Sequence, residues 1–414
     1  MALSPALDII LRTPPTGLRA LTLTNVITDA TRRANAEGDG LAEPGGFGVF
    51  PAATNRCING NATTNTAGVT DNSSTTSRVT TGTVKFGTTA FEVVSGNAAA
   101  NEGPSQSVSG GAASTQYTVS AWAWLVSGAA TVRATLQDDV SGKQGGTGVV
   151  LTATPQRVRV TATTGALAVT FNSFIETTVQ QAGTWRVGGW QVETGNVATP
   201  FVTTDGGTAT RSAGGIEINP TGLLTPTQGW IAYRLKMGWS VASEALPGGD
   251  PPFLLMWRTD ASNTLQVDYV AATDDWRLLR NGSGTSAQAD TAALTFATGD
   301  EVTIIVAWDA AQLHISFNNS AYVSAAQSVI PALPTTMYLA SWANTRQVSS
   351  LNRWIIMGKG SKPTTADVAA INAYAAPPPT LSQIAALSSA TKPTLLIPAK
   401  TADAVLLPAY FGGV

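Results

Sequence analysis

Residues 117–125 read Tyr-Thr-Val-Ser-Ala-Trp-Ala-Trp-Leu, and this stretch decides the fold. Side chains alternate between two faces along a strand. Tyr117, Val119, Ala121, Ala123 and Leu125 therefore share one face, and Thr118, Ser120, Trp122 and Trp124 share the other. The same period of two recurs outward from it. Ala130, Val132, Ala134 and Leu136 alternate with Thr131, Arg133, Thr135 and Gln137. Val158 and Val160 alternate with Arg157, Arg159 and Thr161, and residues 166–174 continue the theme. Turn-rich stretches such as 141–148 separate these runs, so residues 50–212 are expected to form an antiparallel sandwich.

Residues 213–375 repeat the character. Ile231, Tyr233, Leu235 and Met237 share one strand face, as do Leu265, Val267 and Tyr269. Residues 302–308 are almost wholly apolar, which suits a strand covered on both sides. Beyond Asp309, Leu313, Ile315 and Phe317 alternate with His314 and Ser316. The clearest helix candidate is 365–374, started by Pro363 and Thr364 or Thr365, with Val368 and Ile371 as its apolar stripe. The fold class read from these patterns is all-β: two consecutive antiparallel sandwiches of jelly-roll type, with extended arms. Residues 1–49, broken by Pro14-Pro15 and by glycines from Gly38 to Gly48, form the N-terminal arm. Residues 376–414 form a Pro-interrupted apolar tail, with Leu395-Leu396-Ile397 and Leu406-Leu407 expected to find cover on a neighbouring subunit.

Composition agrees with this reading and removes several functions. Charged residues are 12% of the 414, against a usual share of roughly 25%. Thr, Ser, Ala, 40 glycines and 22 prolines fill the gap and favour strands and turns. A net charge of −2 offers no attraction for nucleic acid or an acidic membrane. No run of about 18 apolar residues predicts a membrane span. The N-terminus lacks a basic-then-apolar signal, so synthesis in a cytoplasm is expected. Cys57 is the only cysteine and His314 the only histidine, which leaves no intrachain disulfide and a single imidazole for any catalysis. No cofactor is expected, and no enzymatic activity.

The first block resembles the carbohydrate-binding-module type of jelly roll common in phage tail and other virion proteins. The residues that carry the resemblance are Thr54-Asn55, the segment 86–94 (Phe-Gly-Thr-Thr-Ala-Phe-Glu-Val-Val), 116–123, and the closing segment 183–195 with Ala198-Thr199-Pro200-Phe201-Val202. The Trp-Gln-Val-Glu of 190–193 followed by Ala-Thr-Pro-Phe is the most specific part. Relatives that bind a structural calcium often carry an Asp near the position of Gly188 or Gly189, and the two glycines put that ion in doubt. The second block resembles a laminin-G or concanavalin-like sandwich, on 302–309 (Val-Thr-Ile-Ile-Val-Ala-Trp-Asp) followed by 312–319 (Gln-Leu-His-Ile-Ser-Phe-Asn-Asn). This fold hosts many functions and implies no particular ligand.

The candidate sites each have a plainer reading. Trp122 and Trp124 could stack on sugar rings if their face is open, or pack within the sandwich or a subunit contact. The second block holds seven tryptophans (Trp230, Trp239, Trp257, Trp276, Trp308, Trp342 and Trp354), of which Trp239 and Trp276 lie near turns and are the better surface candidates. Asp274, Asp275 and Trp276 with Asn281 could make a glycan or calcium patch, or simply a tight turn. Asp138-Asp139 and Glu193 could supply paired carboxylates for glycoside hydrolysis, although Asp138-Asp139 also heads a loop. Glycine pairs such as Gly145-Gly146 lack a phosphate-loop lysine. His314 has no acidic neighbour in sequence and is expected at a surface or interface.

These expectations converge on a structural component of a bacteriophage particle, on tail or capsid, contacting other virion proteins and copies of itself, with a homotrimer favoured because the apolar tail needs cover. The alternative is a glycan-binding adhesin module for a host cell-surface receptor.

Overall fold

Strand-forming residues dominate the computed structural model. It describes residues 52–62, 65–80, 89–108, 110–166, 170–196, 198–199, 201–213, 215–241, 252–342, 346–348 and 350–373, with the backbone of four short strands at 22–24, 47–49, 395–398 and 405–406. The protein is all-β, with every strand pairing antiparallel, and its one helix among the described residues is Thr365–Asn372. The chain divides into two units, one built on 52–212 and one on 213–373.

In the first unit, a five-stranded sheet runs in the order Gln156–Thr163, Gln116–Gly128, Ala182–Thr194, Ala90–Gly96, Ser74–Val79. The facing sheet runs Gly142–Gly145, Thr131–Asp138, Phe171–Thr177, Gly103–Val108, Val69–Asn72, with Val149–Val150 also on Thr131–Asp138. Their inner faces supply one core: Tyr117, Val119, Ala121 and Ala123 from one sheet meet Val132, Ala134, Leu136 and Ile175 from the other. The alternation of 117–125 thus places its small apolar side inward. One irregularity matters. The register of Ala182–Thr194 against Gln116–Gly128 shifts between Gly188 and Gln191, a bulge that returns Trp190 and Val192 to the core after Trp185 and Val187. Gly189 takes a positive φ of 61°, and a Cβ there would meet Trp122 Cδ1 at 3.1 Å, so two reasons favour glycine where an Asp was considered.

In the second unit, a seven-stranded sheet runs Thr22–Thr24, Gly215–Ile218, Met337–Leu339, Phe253–Asp260, Asn263–Val270, Asp275–Gly282, Thr285–Asp290. An eight-stranded sheet contains Val323–Ala326, Gln312–Phe317, Glu301–Trp308, Gly229–Lys236, Ser350–Gly358, Leu395–Pro398 and Val405–Leu406, with Phe47–Val49 also on Ser350–Gly358. Tyr233 ties the two sheets by donating to the Leu254 carbonyl at 2.9 Å. Glu301–Trp308 is buried on both sides because the helix covers the other face: Val368 and Ile371 pack on Trp230, Ala232, Ile305, Ala307, Trp354 and Ile356. Thr364 starts the helix in a capping box with Asp367.

Two expectations change here. Leu395–Pro398 pairs with Trp354–Met357 of its own chain, so the backbone of this part of the tail is hydrogen-bonded within the chain. His314 is 1% exposed and not a surface residue. It lies opposite Ala307, on the helix-covered side of the sheet. The remaining residues of 1–49 and 376–414 lie outside the described residues.

Candidate functional site

The two outward faces of the first sandwich differ in what covers them. The outer face of the five-stranded sheet bears Thr118, Ser120, Trp122, Trp124, Gln191 and Glu193, and all are buried. Two stretches of chain run against this face. Arg157 donates to the Ala198 carbonyl at 3.1 Å and the Thr199 carbonyl at 2.6 Å. The Val202 N–H donates to Gln191 Oε1 at 2.6 Å, and the Gly60 N–H donates to Thr204 Oγ1 at 2.8 Å. Asn55 anchors the other stretch. Its Nδ2 donates to the Trp190 and Val202 carbonyls, and its Oδ1 accepts from Cys57 and Val192.

Glu193 accepts from Thr199 and Gln191 and is wholly enclosed; burial raises its pKa, offset in part by Thr199, Gln191 and Arg157. The closing motif is therefore a clasp: Gln191, Glu193 and Thr199 bind one another. Trp122 and Trp124, at 4% and 1% exposure, pack with Ala90 and Val79 beneath this cover, and the Arg157 guanidinium lies 5.7 Å from the Trp122 ring. Placed so, neither indole can stack on a sugar ring.

The outer face of the facing sheet is open along one row of side chains and closed beside it, where Thr135, Phe174 and Glu176 are buried. Lys143 stands opposite Gln137, Gln137 opposite Asn172, and Asn172 opposite Ser107. This makes a polar ladder across four strands, spanning about 14 Å at about 4.8 Å per strand. Asn172, Ser107 and Lys143 are exposed and Gln137 is half-buried. Among the described residues, the side chains of Gln137, Asn172 and Ser107 have no hydrogen-bond partner. Alongside the ladder, Phe174 lies opposite Thr135 and Ser105, and Glu176 opposite Arg133. The Glu176 carboxylate is fully buried; it accepts from Thr135 at 2.9 Å and pairs with Arg133 at 3.2 Å and with Lys143. The Lys143 ammonium also sits 4.4 Å from the Phe174 ring centroid. Sequence reasoning noted Arg133, Thr135 and Gln137 only as the polar half of an alternating strand. Their chemistry emerges from cross-strand register, which no local pattern contains.

The remaining candidates do not assemble. Asp138 accepts from the N–H groups of Val140, Ser141 and Gly165; burial, which raises its pKa, is outweighed by these donors, and the carboxyl is held low. It belongs to the opposite sheet from Glu193, and each of the two carboxylates is engaged by its own local donors. Asp274, with φ 54°, makes a tight turn and accepts from the Tyr269 hydroxyl at 2.9 Å. Trp276 and Trp239 are buried, not surface residues, in an aromatic cluster with Tyr269 and Phe296. Asp275 is also buried, and Asn281 donates to the Ala261 carbonyl at 2.5 Å. The turn therefore accounts for Asp274, Asn281 braces a different turn at Ala261 from the far end of its strand, and the core claims the indoles.

Cys57 is buried, and burial pushes its thiol up to about 12. His314 has Ser324 at 2.7 Å from Nδ1 and Asp309 at 3.6 Å from Nε2; burial and then Lys362 lower its pKa, against the opposing pull of Asp309. Among the described residues, no group of three or more His, Cys, Asp or Glu side chains is placed to hold a metal ion, and no helix is long and apolar enough to cross a membrane.

No protein-family model matches the chain, and no curated protein matches it. Among solved structures, the chain is similar to the N-terminal CBM22-1–CBM22-2 tandem domain of Paenibacillus barcinonensis Xyn10C, at 12% identity and a TM-score of 0.29, over 77% of this chain and 98% of that one. It is similar to domains LG4-5 of the mouse laminin alpha1 chain at 9% identity and a TM-score of 0.26, over 64% of this chain and 89% of that one. The enzymatically active domain of bacteriophage CBA120 tailspike protein 4 is similar at 12% identity and a TM-score of 0.27, over 34% of this chain and 21% of that one.

Proposed function

We propose that the first sandwich is a glycan-binding module that holds its ligand without chemical change on the open face formed by Thr131–Asp138, Phe171–Thr177, Gly103–Val108 and Gly142–Gly145. The observation that carries this reading is the contrast between two faces of one sandwich. On one, Thr118, Ser120, Gln191 and Glu193 are buried and bonded to neighbouring side chains or backbone, and the other presents Gln137, Asn172 and Ser107 in a row across its strands. Oligosaccharides are recognised by such groups, which donate to and accept from ring hydroxyls, and a rigid sheet holds them in fixed order. A place on a bacteriophage particle, as the sequence resemblance implies, would make the host envelope the source of that glycan.

A glycan array probed with the full chain and with a Gln137→Ala/Asn172→Ala double variant tests the reading. The full chain is expected to retain at least one oligosaccharide class, and the double variant to lose it at least tenfold with unchanged thermal unfolding. Equal retention by the variant, or no retention by the full chain, overturns it. Release of shortened oligosaccharides during the same incubation would replace binding by hydrolysis.

A further inference from the structure

The charges on the open face do not cancel. The side chains that its strands turn outward include two cations, Arg133 and Lys143, and one carboxylate, Glu176; Asp138, on the same strand as Arg133, pairs with the core residue Phe171 and turns inward. Both cations contact that carboxylate, which is itself 0% exposed, while the Arg133 and Lys143 side chains keep 27% and 28% of their surface in solvent. Glu176 is thus a buried counter-ion that fixes two partly open cations at one place. Arg133 is held further by Asn101 Oδ1, which accepts from Nη2 at 3.0 Å. Lys143 is held by the face of the Phe174 ring. Among these three outward side chains one positive charge is left over, beside the polar ladder and partly withdrawn from water, where a charge–charge interaction is stronger than in bulk water.

Resting on the reading of this face as a glycan platform, we infer that its ligand is an acidic saccharide, with a sugar carboxylate meeting the Arg133–Lys143 pair while its hydroxyls meet Gln137, Asn172 and Ser107. Arg133 offers a planar fork suited to a carboxylate, and Lys143 a point charge held beside it over the Phe174 ring. A neutral sugar leaves the surplus charge unanswered and displaces its water for no gain.

Oligouronides from acidic polysaccharides, and the same preparation after carboxyl reduction, separate this inference from the binding reading. The full chain is expected to bind the oligouronides at least tenfold more tightly than the reduced chains, with affinity falling as salt is raised. Lys143→Met keeps the side-chain stem over Phe174 and leaves Glu176 paired with Arg133, so the fold survives while the preference collapses. Lys143→Arg retains it. Equal affinity for both preparations, abolished by Gln137→Ala/Asn172→Ala, sinks the acidic-ligand inference and leaves the platform standing. No binding of either preparation by a chain that retains another oligosaccharide class on the array overturns the acidic-ligand inference alone, and no retention of any class overturns both.

Discussion

Thr199 clasps Glu193 through two bonds: its Oγ1 donates to Oε2 at 2.7 Å and its N–H donates to Oε1 at 2.8 Å. Glu193 is the penultimate residue of the strand Ala182–Thr194, and Thr199 belongs to the segment that runs back over that strand's sheet. The pair therefore holds that segment against the sheet face that carries Trp122, near which Phe201 lies beside Gly189. Thr199→Val keeps the shape and removes the hydroxyl, leaving a buried carboxylate oxygen short of a donor. The expected cost is about 1–3 kcal/mol, read from the denaturant midpoint of the first unit's unfolding transition. An unchanged midpoint would show that the clasp contributes nothing.

Trp122 belongs to the packing beneath the clasp and not to the ligand face. Trp122→Ala should destabilise the first unit by about 3–5 kcal/mol. Trp122→Phe should fold and keep full glycan affinity. Selective loss of binding by a stably folded Trp122→Phe protein would contradict this account.

In the second unit, Thr364 accepts from the Asp367 N–H, and Asp367 accepts from the Thr364 N–H. Thr364→Ala should cost about 1 kcal/mol and raise amide exchange in Thr365–Asn372 before the sheets respond. Exchange rates identical to those of the parent chain would argue against the box as the helix's anchor.

His314 makes stability depend on pH in a defined window. Burial first, and then Lys362, lower its pKa in the folded state from the ordinary value of about 6.5, while Asp309 on the preceding turn pulls the other way. The groups around it are Asp309, Lys362, Ser324 and Tyr322, with Asp367 acting on Tyr322 from the helix. Below about 6.5 the unfolded chain takes up the imidazole proton before the folded one does, so this contribution is complete above that pH and is lost as pH falls through the lowered folded value. Thermal unfolding between pH 7 and pH 5 should fall more steeply for the parent chain than for His314→Gln. Because His314 is the only histidine, its titration can be followed by NMR without assignment. A midpoint above 6.5 reverses the sign and refutes the prediction.

The period of two made the sandwiches legible, since Tyr117, Val119, Ala121 and Ala123 face inward as their spacing demands. It could not say what lies over the opposite side. Trp122 and Trp124 were rightly set on the other face, but their burial against Ala90 and Val79, and the bonds of Thr199 and Thr204 to that side of the sandwich, are long-range contacts that alternation does not encode. The bulge at Gly189 breaks the alternation itself, so Trp190 points inward out of step with Val187. His314 was misplaced for a related reason: it shares a face with Ala307, and that face is buried only because a helix some fifty residues later covers it. The polar ladder was invisible in the sequence because Lys143, Gln137, Asn172 and Ser107 are each ordinary strand residues. Only the pairing of four strands sets them in a row.

Hydrogen exchange of the full chain with and without its bound oligosaccharide tests the choice of face most directly. Slowed exchange confined to 131–138, 142–145 and 171–177, with 116–124 and 198–204 unchanged, is the result this account predicts. Slowing at 116–124 and 198–204 instead would place the ligand on the tryptophan side and contradict it.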